Sequence, residues 1–466
     1  MVFAYQLNGY NILLDVNSGL VHVTSDEVFN LIEMANKDIE DGKICASSLP
    51  TALPEYADKL KNEYDPADLK EACEEITELI NKNMLYTPDI YEPQLDMVKA
   101  LRTDIKAMCL HVAHDCNLAC KYCFADEGEY HGKRGLMSFE TGKKALDFLV
   151  ESSKGRRNLE VDFFGGEPLM NFEVVKQLVA YGRSLEKEHN KNFRFTLTTN
   201  AVLLDDEITE FLNREMSNVV LSLDGRKEIN DKMRVTRNGK GSYDVVVKNI
   251  KRFIELRGDK DYYVRGTFTR NNLDFSKDIE EYLKLGFDKL SIEPVVTTES
   301  YGIRKEDIPR VLEEYDNLSK LYIKRYEEGR PFTFFHFMIE LDGGPCVIKR
   351  LKGCGSGTEY VAVTPEGDIY PCHQFVGQEG FIIGNVDEGI TNTDIIDKFR
   401  QATVYSKDKC DKCFAKFYCS GGCPANSYNF SKDINKVYEI GCEMQKKRVQ
   451  CAIMIKAALA ERDCDE

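Results

Sequence analysis

No stretch of this sequence approaches the roughly 18 uninterrupted apolar residues that a membrane-spanning helix needs. Its opening residues, MVFAYQLNGYNILLD, lack a basic segment followed by an apolar block. Neither membrane insertion nor export is expected, and the cytoplasm is the expected compartment. Lysines and arginines are scattered instead of gathered into a basic patch, and the formal charge is -16. Nucleic acid and anionic membrane are therefore not expected as partners. There is no internal repeat and no low-complexity tract. What is there is a chain of 466 residues, 42% hydrophobic and 30% charged, a globular composition long enough for about two to four domains.

Cysteine is abundant. Sixteen cysteines in a reducing compartment do not read as a disulfide framework, so metal binding is the first reading. They also cluster. Cys116, Cys120 and Cys123 form one group, and Cys346, Cys354, Cys372, Cys410, Cys413, Cys419, Cys423 and Cys442 another. Cys45, Cys73, Cys109, Cys451 and Cys464 are isolated and read as ordinary buried or surface thiols.

Hydrophobic periodicity divides the chain into three regions: 1–93, 94–304 and 305–466. The first has short alternating runs (FAYQL, NILLDV, LVHVT) followed by helical patterns at SDEVFNLIEMANKDIE and PADLKEACEEITELINKN, a small sheet followed by helices. YTPDIYEPQ reads as a linker. In the second region AMCLHVA, LEVDFF, FRFTLTT, NVVLSL, YYVRGTF and KLSIEPV read as strands separated by amphipathic helices. Six such units in order predict an α/β fold with a parallel sheet, open or curled into a partial barrel, and ligands at the carboxyl ends of its strands. The third region opens with a helix around DIPRVLEEYDNLSKLYIKRYEEG and then reads as irregular, Gly-rich and Cys-rich, so bound metal is expected to supply much of its folding free energy.

The first cysteine group lies just after the first of those strands, where chemistry is expected. Cys-x3-Cys-x2-Cys is neither a zinc-finger nor a ferredoxin spacing. Three thiolates can hold three irons of a 4Fe-4S cluster and leave one iron open to a chelating amine and carboxylate. Zinc held with His111 or His114 is the alternative.

Cys116, Cys120 and Cys123, with Tyr122 before the third cysteine, resemble the signature of the radical S-adenosylmethionine (SAM) superfamily. The resemblance continues in FFGGEP (163–168), TTN (198–200), LSLDG (221–225) and NDKMRVTRNGKGSYD. It implies a partial (β/α)6 barrel in which Gly165, Gly166 and Glu167 hold the methionine amino group. It also implies that Ser222 meets the SAM carboxylate or ribose, and that Tyr122, Asn200 and Arg234 belong to the cofactor site.

Cys354, Gly367 and Cys372, then Cys410, Cys413, Cys419, Cys423 and Cys442, resemble the SPASM extension of radical SAM peptide-modifying enzymes. That resemblance implies two auxiliary 4Fe-4S clusters, one held by Cys410, Cys413, Cys419 and Cys442, the other by Cys354, Cys372 and Cys423. With the SAM-binding cluster this makes three clusters. The last auxiliary set lacks a fourth thiolate, and either Cys346 or a substrate thiolate completes it. The N-terminal region resembles the winged-helix-like element that binds leader peptides by adding a strand to its sheet edge.

Across its length the chain resembles maturases of peptides that carry six cysteines in forty-five residues. The implied product is a sactionine thioether between a cysteine sulfur and the α-carbon of another residue. Its implied mechanism is one-electron reduction of SAM to methionine and a 5'-deoxyadenosyl radical, hydrogen abstraction from the α-carbon, and bond formation with a deprotonated substrate cysteine held on the auxiliary iron, whose cluster accepts the surplus electron. The implied partners are a Cys-rich precursor peptide and an external electron donor such as ferredoxin or flavodoxin. The rivals are a sulfatase-type formylglycine maturase, a carbon-carbon peptide crosslinking enzyme, and a non-catalytic iron-sulfur or zinc protein, against which GGE and LSLDG speak.

Overall fold

The computed structural model describes residues 1–101, 103–341 and 346–465, the last four of these by backbone alone. Cys464 is among those four, so its reading as an isolated thiol lies outside the described side chains.

Alternating apolar residues make the N-terminal hairpin. β1 (Val2–Leu7) and β2 (Tyr10–Asp15) pair antiparallel, and β3 (Val21–Val23) lies on the other side of β2. Asn8 and Gly9 both take positive φ, 51° and 87°, as the tight turn between twisted strands requires. Behind the sheet stand α1 (Asp26–Glu40), α2 (Leu49–Leu60) and α3 (Pro66–Asn81). Ser25 and Asp65 start the first and third by accepting from the backbone N–H groups of Val28 and Ala67. Val2, Leu13, Val28, Phe29, Leu53, Leu69 and Ile76 form a core of their own.

The hydrophobic pattern did not announce α2, whose sequence carries Pro50 and Pro54. Pro50 sits in the first turn, where no N–H is needed. Pro54 gives up one intrahelical bond, and burial of Leu49, Leu53, Tyr56 and Leu60 offsets it.

After α4 (Leu95–Ala100) come β4 (Ala107–His114), the short antiparallel β5 (Gly135–Leu136), α5 (Phe139–Ser152), β6 (Asn158–Gly165), α6 (Phe172–Glu188), β7 (Asn192–Thr199), α7 (Asp206–Glu215), β8 (Met216–Ser222), α8 (Lys227–Met233), α9 (Tyr243–Arg257), β9 (Asp261–Phe268), α10 (Ser276–Leu285) and β10 (Lys289–Pro294). Strands β4, β6, β7, β8, β9 and β10 are parallel neighbours in that order. Val161, Phe163, Phe195, Leu197, Val219, Leu221 and Val264 are buried beneath the helices. The alternate residues Asp162, Thr196, Ser222 and Arg265 face the concave side. The sheet curls. Arg265 of β9 acts on Asp162 of β6 although two strands stand between them.

The C-terminal region extends this sheet at both edges. α11 (Ile308–Glu327) leads to β11 (Thr333–Phe334), parallel to β10. α12 (Val347–Lys352) leads to β12 (Tyr360–Val363), which pairs parallel with β4 at the opposite edge. β13 (Asp368–Tyr370), β14 (Gly384–Asn385) and β15 (Gly389–Ile390) continue as an antiparallel meander. α13 (Thr393–Gln401), α14 (Lys416–Cys419), α15 (Pro424–Ser431) and α16 (Glu439–Asp465) follow.

The expectation of an irregular third region fails at α16, a helix of 27 residues. Met444, Val449, Ala452, Ile453, Met454 and Ile455 are all buried because α16 packs on α11 and also against β1 and β2. Covered on several sides, it shows no one-faced periodicity. The N-terminal sheet is thereby fixed to the rest. Tyr5 Oη donates to the Gln450 carbonyl at 3.0 Å, and Phe3 stacks on Phe414 with ring centres 3.7 Å apart. YTPDIYEPQ is held as well, since Asp89 accepts from Lys416 at 3.0 Å and Tyr405 at 2.6 Å. No described helix is long and apolar enough to cross a membrane.

Candidate active site and cysteine clusters

The loop after β4 carries Cys116, Cys120 and Cys123. It is held by the segment that follows α8: Ala119 N donates to the Val235 carbonyl (2.8 Å) and Lys121 N to the Met233 carbonyl (2.9 Å). Leu118 and Thr236 form an antiparallel bridge. Arg237 clasps the loop from outside, its Nε donating to the Cys116 carbonyl at 2.7 Å and its Nη2 pairing with Asp115. This is the structural use of NDKMRVTRNGKGSYD. The thiols lie within one another's electrostatic reach. Burial, then the charge of Glu167, then Cys120 and Cys123 push Cys116 up to about 12. Burial pushes Cys120 up to about 11, against the opposing pull of Arg234.

Gly165 and Gly166 bring the end of β6 against the backbone of that loop. A Cβ on Gly165 would stand 2.2 Å from the Ala113 carbonyl oxygen, and one on Gly166 2.2 Å from that of Asp115. Only glycine permits this approach, which lets Gly166 N and Glu167 N donate to those same carbonyls at 2.8 and 2.9 Å. Glu167 is 1% exposed. Its Oε1 accepts from Leu169 N (3.0 Å) and Thr199 Oγ1 (2.8 Å), its Oε2 from Asn200 N (2.7 Å). Burial nevertheless raises its carboxyl to about 7, against the pull of those three bonds. Asn200 Nδ2 donates to Asn117 Oδ1 at 2.7 Å and reaches Cys116 Sγ at 3.6 Å. Ser222 ends β8 beside Arg265 of β9. The structure thus gathers Gly165, Gly166, Glu167, Asn200 and the cysteine loop at the carboxyl ends of adjacent strands.

Tyr122 and Arg234 share a partner that sequence reasoning did not single out. Asp224, fully buried in LSLDG, accepts from Tyr122 Oη at 2.5 Å, from Arg234 Nε at 3.0 Å and from Thr267 N at 3.0 Å. Arg234 lies over the Tyr122 ring at 5.5 Å. Its charge is therefore already balanced by Asp224. A lone aspartate straight after a strand end was the available signal. His111 and His114 hydrogen-bond one another at 3.1 Å and stack around Tyr130.

The C-terminal cysteines fall into two sets in space. Cys410, Cys413, Cys419 and Cys442 act on one another and line one cavity of about 410 Å³. Burial followed by the neighbouring thiols pushes Cys410 and Cys442 each up to about 11. Cys354, Cys372 and Cys423 form the second set, with burial and then Cys423 raising Cys372. Cys346 is exposed at the start of α12. His373, next to Cys372 of the second set, lies 5.3 Å from the Phe164 ring and 6.0 Å from that of Phe124, the residue after Cys123. His373 Nδ1 meets Tyr360 Oη at 3.0 Å.

The family model of the radical SAM superfamily matches residues 110–270, and that of the SPASM iron-sulfur cluster-binding domain matches residues 354–414. The chain carries a radical SAM domain followed by a SPASM domain. This radical SAM protein is 26% identical over 355 residues to a cysteine-type anaerobic sulfatase-maturating enzyme of Clostridium novyi, covering 71% of this chain and 91% of that one. It is 26% identical to the antilisterial bacteriocin subtilosin biosynthesis protein AlbA of Bacillus subtilis, covering 69% and 67%. Its fold is similar to that of Streptococcus suis SuiB bound to precursor peptide SuiA, with a TM-score of 0.51 at 18% identity over 93% of this chain and 97% of that one.

Radical SAM and SPASM domains imply SAM and 4Fe-4S clusters, and the donors of this radical SAM protein fit them. Thiolates are the soft donors that iron-sulfur clusters take, and the cysteines present supply them in three groups, one in the loop after β4 and two in the C-terminal region. All fifteen described cysteines are free, and the buried ones are too costly to ionise without a metal.

Proposed function

We propose that this radical SAM protein joins a cysteine sulfur to the α-carbon of another residue in a ribosomally made, Cys-rich precursor peptide. When bound at Cys116, Cys120 and Cys123, the cluster and SAM supply one-electron chemistry that takes a hydrogen atom from carbon. The chain's own residues position the reactants. Glu167 receives the SAM ammonium, Gly165 and Gly166 bring the backbone to it, and Asn200 and Ser222 flank it at the neighbouring strand ends. Asp224 holds Tyr122 and Arg234 in place beside Cys120.

The observation that carries the thioether reading is the unequal cysteine count of the two C-terminal sets. Cys410, Cys413, Cys419 and Cys442 are a full complement for one auxiliary cluster. Cys354, Cys372 and Cys423 leave one position open, with Cys346 exposed just before α12, and His373, next to Cys372, packs near Phe164 of β6 and near Phe124, the residue after Cys123. With a cluster bound by Cys354, Cys372 and Cys423, a substrate thiolate would supply the fourth ligand that these cysteines do not. For the leader peptide, β3 is an edge strand paired with β2 alone among the described strands, with Val23 50% exposed, and it offers backbone for an added strand. The precursor peptide bound by SuiB and the bacteriocin named for AlbA make a peptide substrate the economical choice. A ferredoxin or flavodoxin serves as electron donor.

The test is mass spectrometry of a Cys-rich peptide encoded beside this chain, after reaction with SAM and a reductant. Loss of two hydrogens with one fewer alkylatable thiol is expected. The same loss with all thiols intact would establish a carbon crosslink, and conversion of a cysteine to an aldehyde would establish the sulfatase-type reaction. Either result overturns the thioether reading.

A further inference from the structure

Lysine is rarely buried without an anionic partner, because its ammonium gives up hydration that only counter-charge and hydrogen bonds restore. Lys407 is 6% exposed. Its Nζ donates to the Gly421 carbonyl at 2.8 Å, and among the described residues no carboxylate pairs with it. Lys416, equally buried nearby, has Asp89 Oδ2 at 3.0 Å. The groups that act on Lys407 electrostatically are cysteines of both C-terminal sets, Cys410 and Cys419 of one and Cys423 and Cys354 of the other, neutral as free thiols and anionic as metal ligands.

The backbone is shaped around this side chain. Gly421 lies between Cys419 and Cys423, on the short segment that passes from one set to the other, with φ of 84°. A Cβ there would stand 3.0 Å from Lys407 Cδ. The missing side chain makes room for the lysine stem.

We propose that Lys407 is a positioning residue shared by the two auxiliary clusters, its ammonium acting as a common counter-charge that raises the reduction potential of both. The proposal rests on the assignment of two clusters made above. A thiolate-ligated cluster is anionic and becomes more so on reduction. A cation fixed nearby in a medium of low dielectric therefore favours the reduced state, and cluster potentials respond to such charge. One cation within reach of both sets moves the two potentials in the same direction.

The test is a redox titration followed by electron paramagnetic resonance, with iron and sulfide analysis, on the reconstituted full chain and on Lys407→Met and Lys407→Arg. Wild type holding iron for only one cluster would overturn the underlying assignment of three clusters and leave Lys407 unexplained by it. With all three present, Lys407→Met is expected to lower both auxiliary potentials and leave the cluster at Cys116, Cys120 and Cys123 unmoved, and Lys407→Arg to restore both. Unchanged potentials in a fully loaded Lys407→Met protein, or a shift of one auxiliary cluster alone, would overturn the proposal. If Lys407→Met loses iron, Lys407→Gln is compared with Lys407→Arg. Iron kept by Arg and lost by Gln supports the charge role, and equal loss in both shows that packing of the lysine stem is what matters.

Discussion

Replacing Glu167 by glutamine tests the SAM site most directly. In the SAM-free protein the Glu167 carboxyl is held at about 7 instead of its ordinary 4.5, because burial outweighs the hydrogen bonds from Asn200 N, Thr199 Oγ1 and Leu169 N. That difference amounts to about 3 kcal/mol against ionisation. Its sign is opposite to that of a salt-bridged carboxylate. Between about 4.5 and 7 the folded protein keeps a proton that the unfolded chain has lost, so this contribution to stability declines as pH rises through that window and returns as pH falls. Binding of an ammonium at Glu167 reverses the penalty, and SAM affinity in wild type should therefore fall about tenfold per pH unit below about pH 7. Above about pH 8 the SAM amine loses its own proton and affinity falls again.

Glu167→Gln removes the charge at every pH. Its carbonyl can keep the bonds from Leu169 and Thr199, but its amide NH2 faces the Asn200 N–H, leaving a donor unpaired at about 1–3 kcal/mol. Relief of the buried charge offsets this, so the variant should stay within about 2 kcal/mol of wild type near pH 8. SAM binding should weaken about 10- to 100-fold, the worth of a charged hydrogen bond, and lose its acid-side pH dependence. Calorimetric titration of SAM into the cluster-loaded enzyme at about pH 6, 7 and 8, beside denaturant unfolding, reads both quantities. A glutamine variant that binds SAM as tightly as wild type, with the same pH profile, would refute the assignment of Glu167 to the SAM ammonium.

Asp224→Ala leaves the Arg234 guanidinium, only 11% exposed, without its counter-charge and frees Tyr122. A loss of about 3–5 kcal/mol in denaturant unfolding is expected, and a loss below about 1 kcal/mol would show that the network is not needed for the fold. Cys423→Ala should remove about a third of the bound iron, whereas Cys346→Ser should retain all of it and the activity. Iron lost on changing Cys346 would make it the missing ligand and displace the substrate thiolate. Val23→Asp places an unpaired charge on the β3 edge. It should weaken binding of the precursor leader at least about tenfold while leaving SAM cleavage without peptide unchanged, and unaltered leader affinity would move the docking site elsewhere.

The chemistry-bearing groups were legible because their spacing is local. Cys116, Cys120 and Cys123 lie within one loop, and Gly165, Gly166 and Glu167 at the end of one strand, so a few residues of sequence carry each arrangement. The six parallel strands were legible for a related reason: each has one face under helices and alternates accordingly, as Val161, Phe163 and Asp162 do in β6. Asp224 was passed over because its importance lies in three partners, Tyr122, Arg234 and Thr267, that come from separate segments. Helix α2 was hidden by its prolines. Helix α16 was hidden because burial against α11, β1 and β2 at once erases the one-sided stripe that marks a surface helix.

The sequence by itself therefore determined the reactive inventory and the order of the α/β units, since thiolate count, glycine placement and strand periodicity are properties of neighbouring residues. Tertiary structure decided what those pieces face. It runs β12 onto β4, so the cysteine-rich region joins the barrel sheet. It turns His373 toward Phe164 and Phe124, and it brings Cys410, Cys419, Cys423 and Cys354 within electrostatic reach of Lys407. The first two depend on contacts between residues more than 200 positions apart and the last on folding within the C-terminal segment, and burial and electrostatics select all three only once the chain has folded.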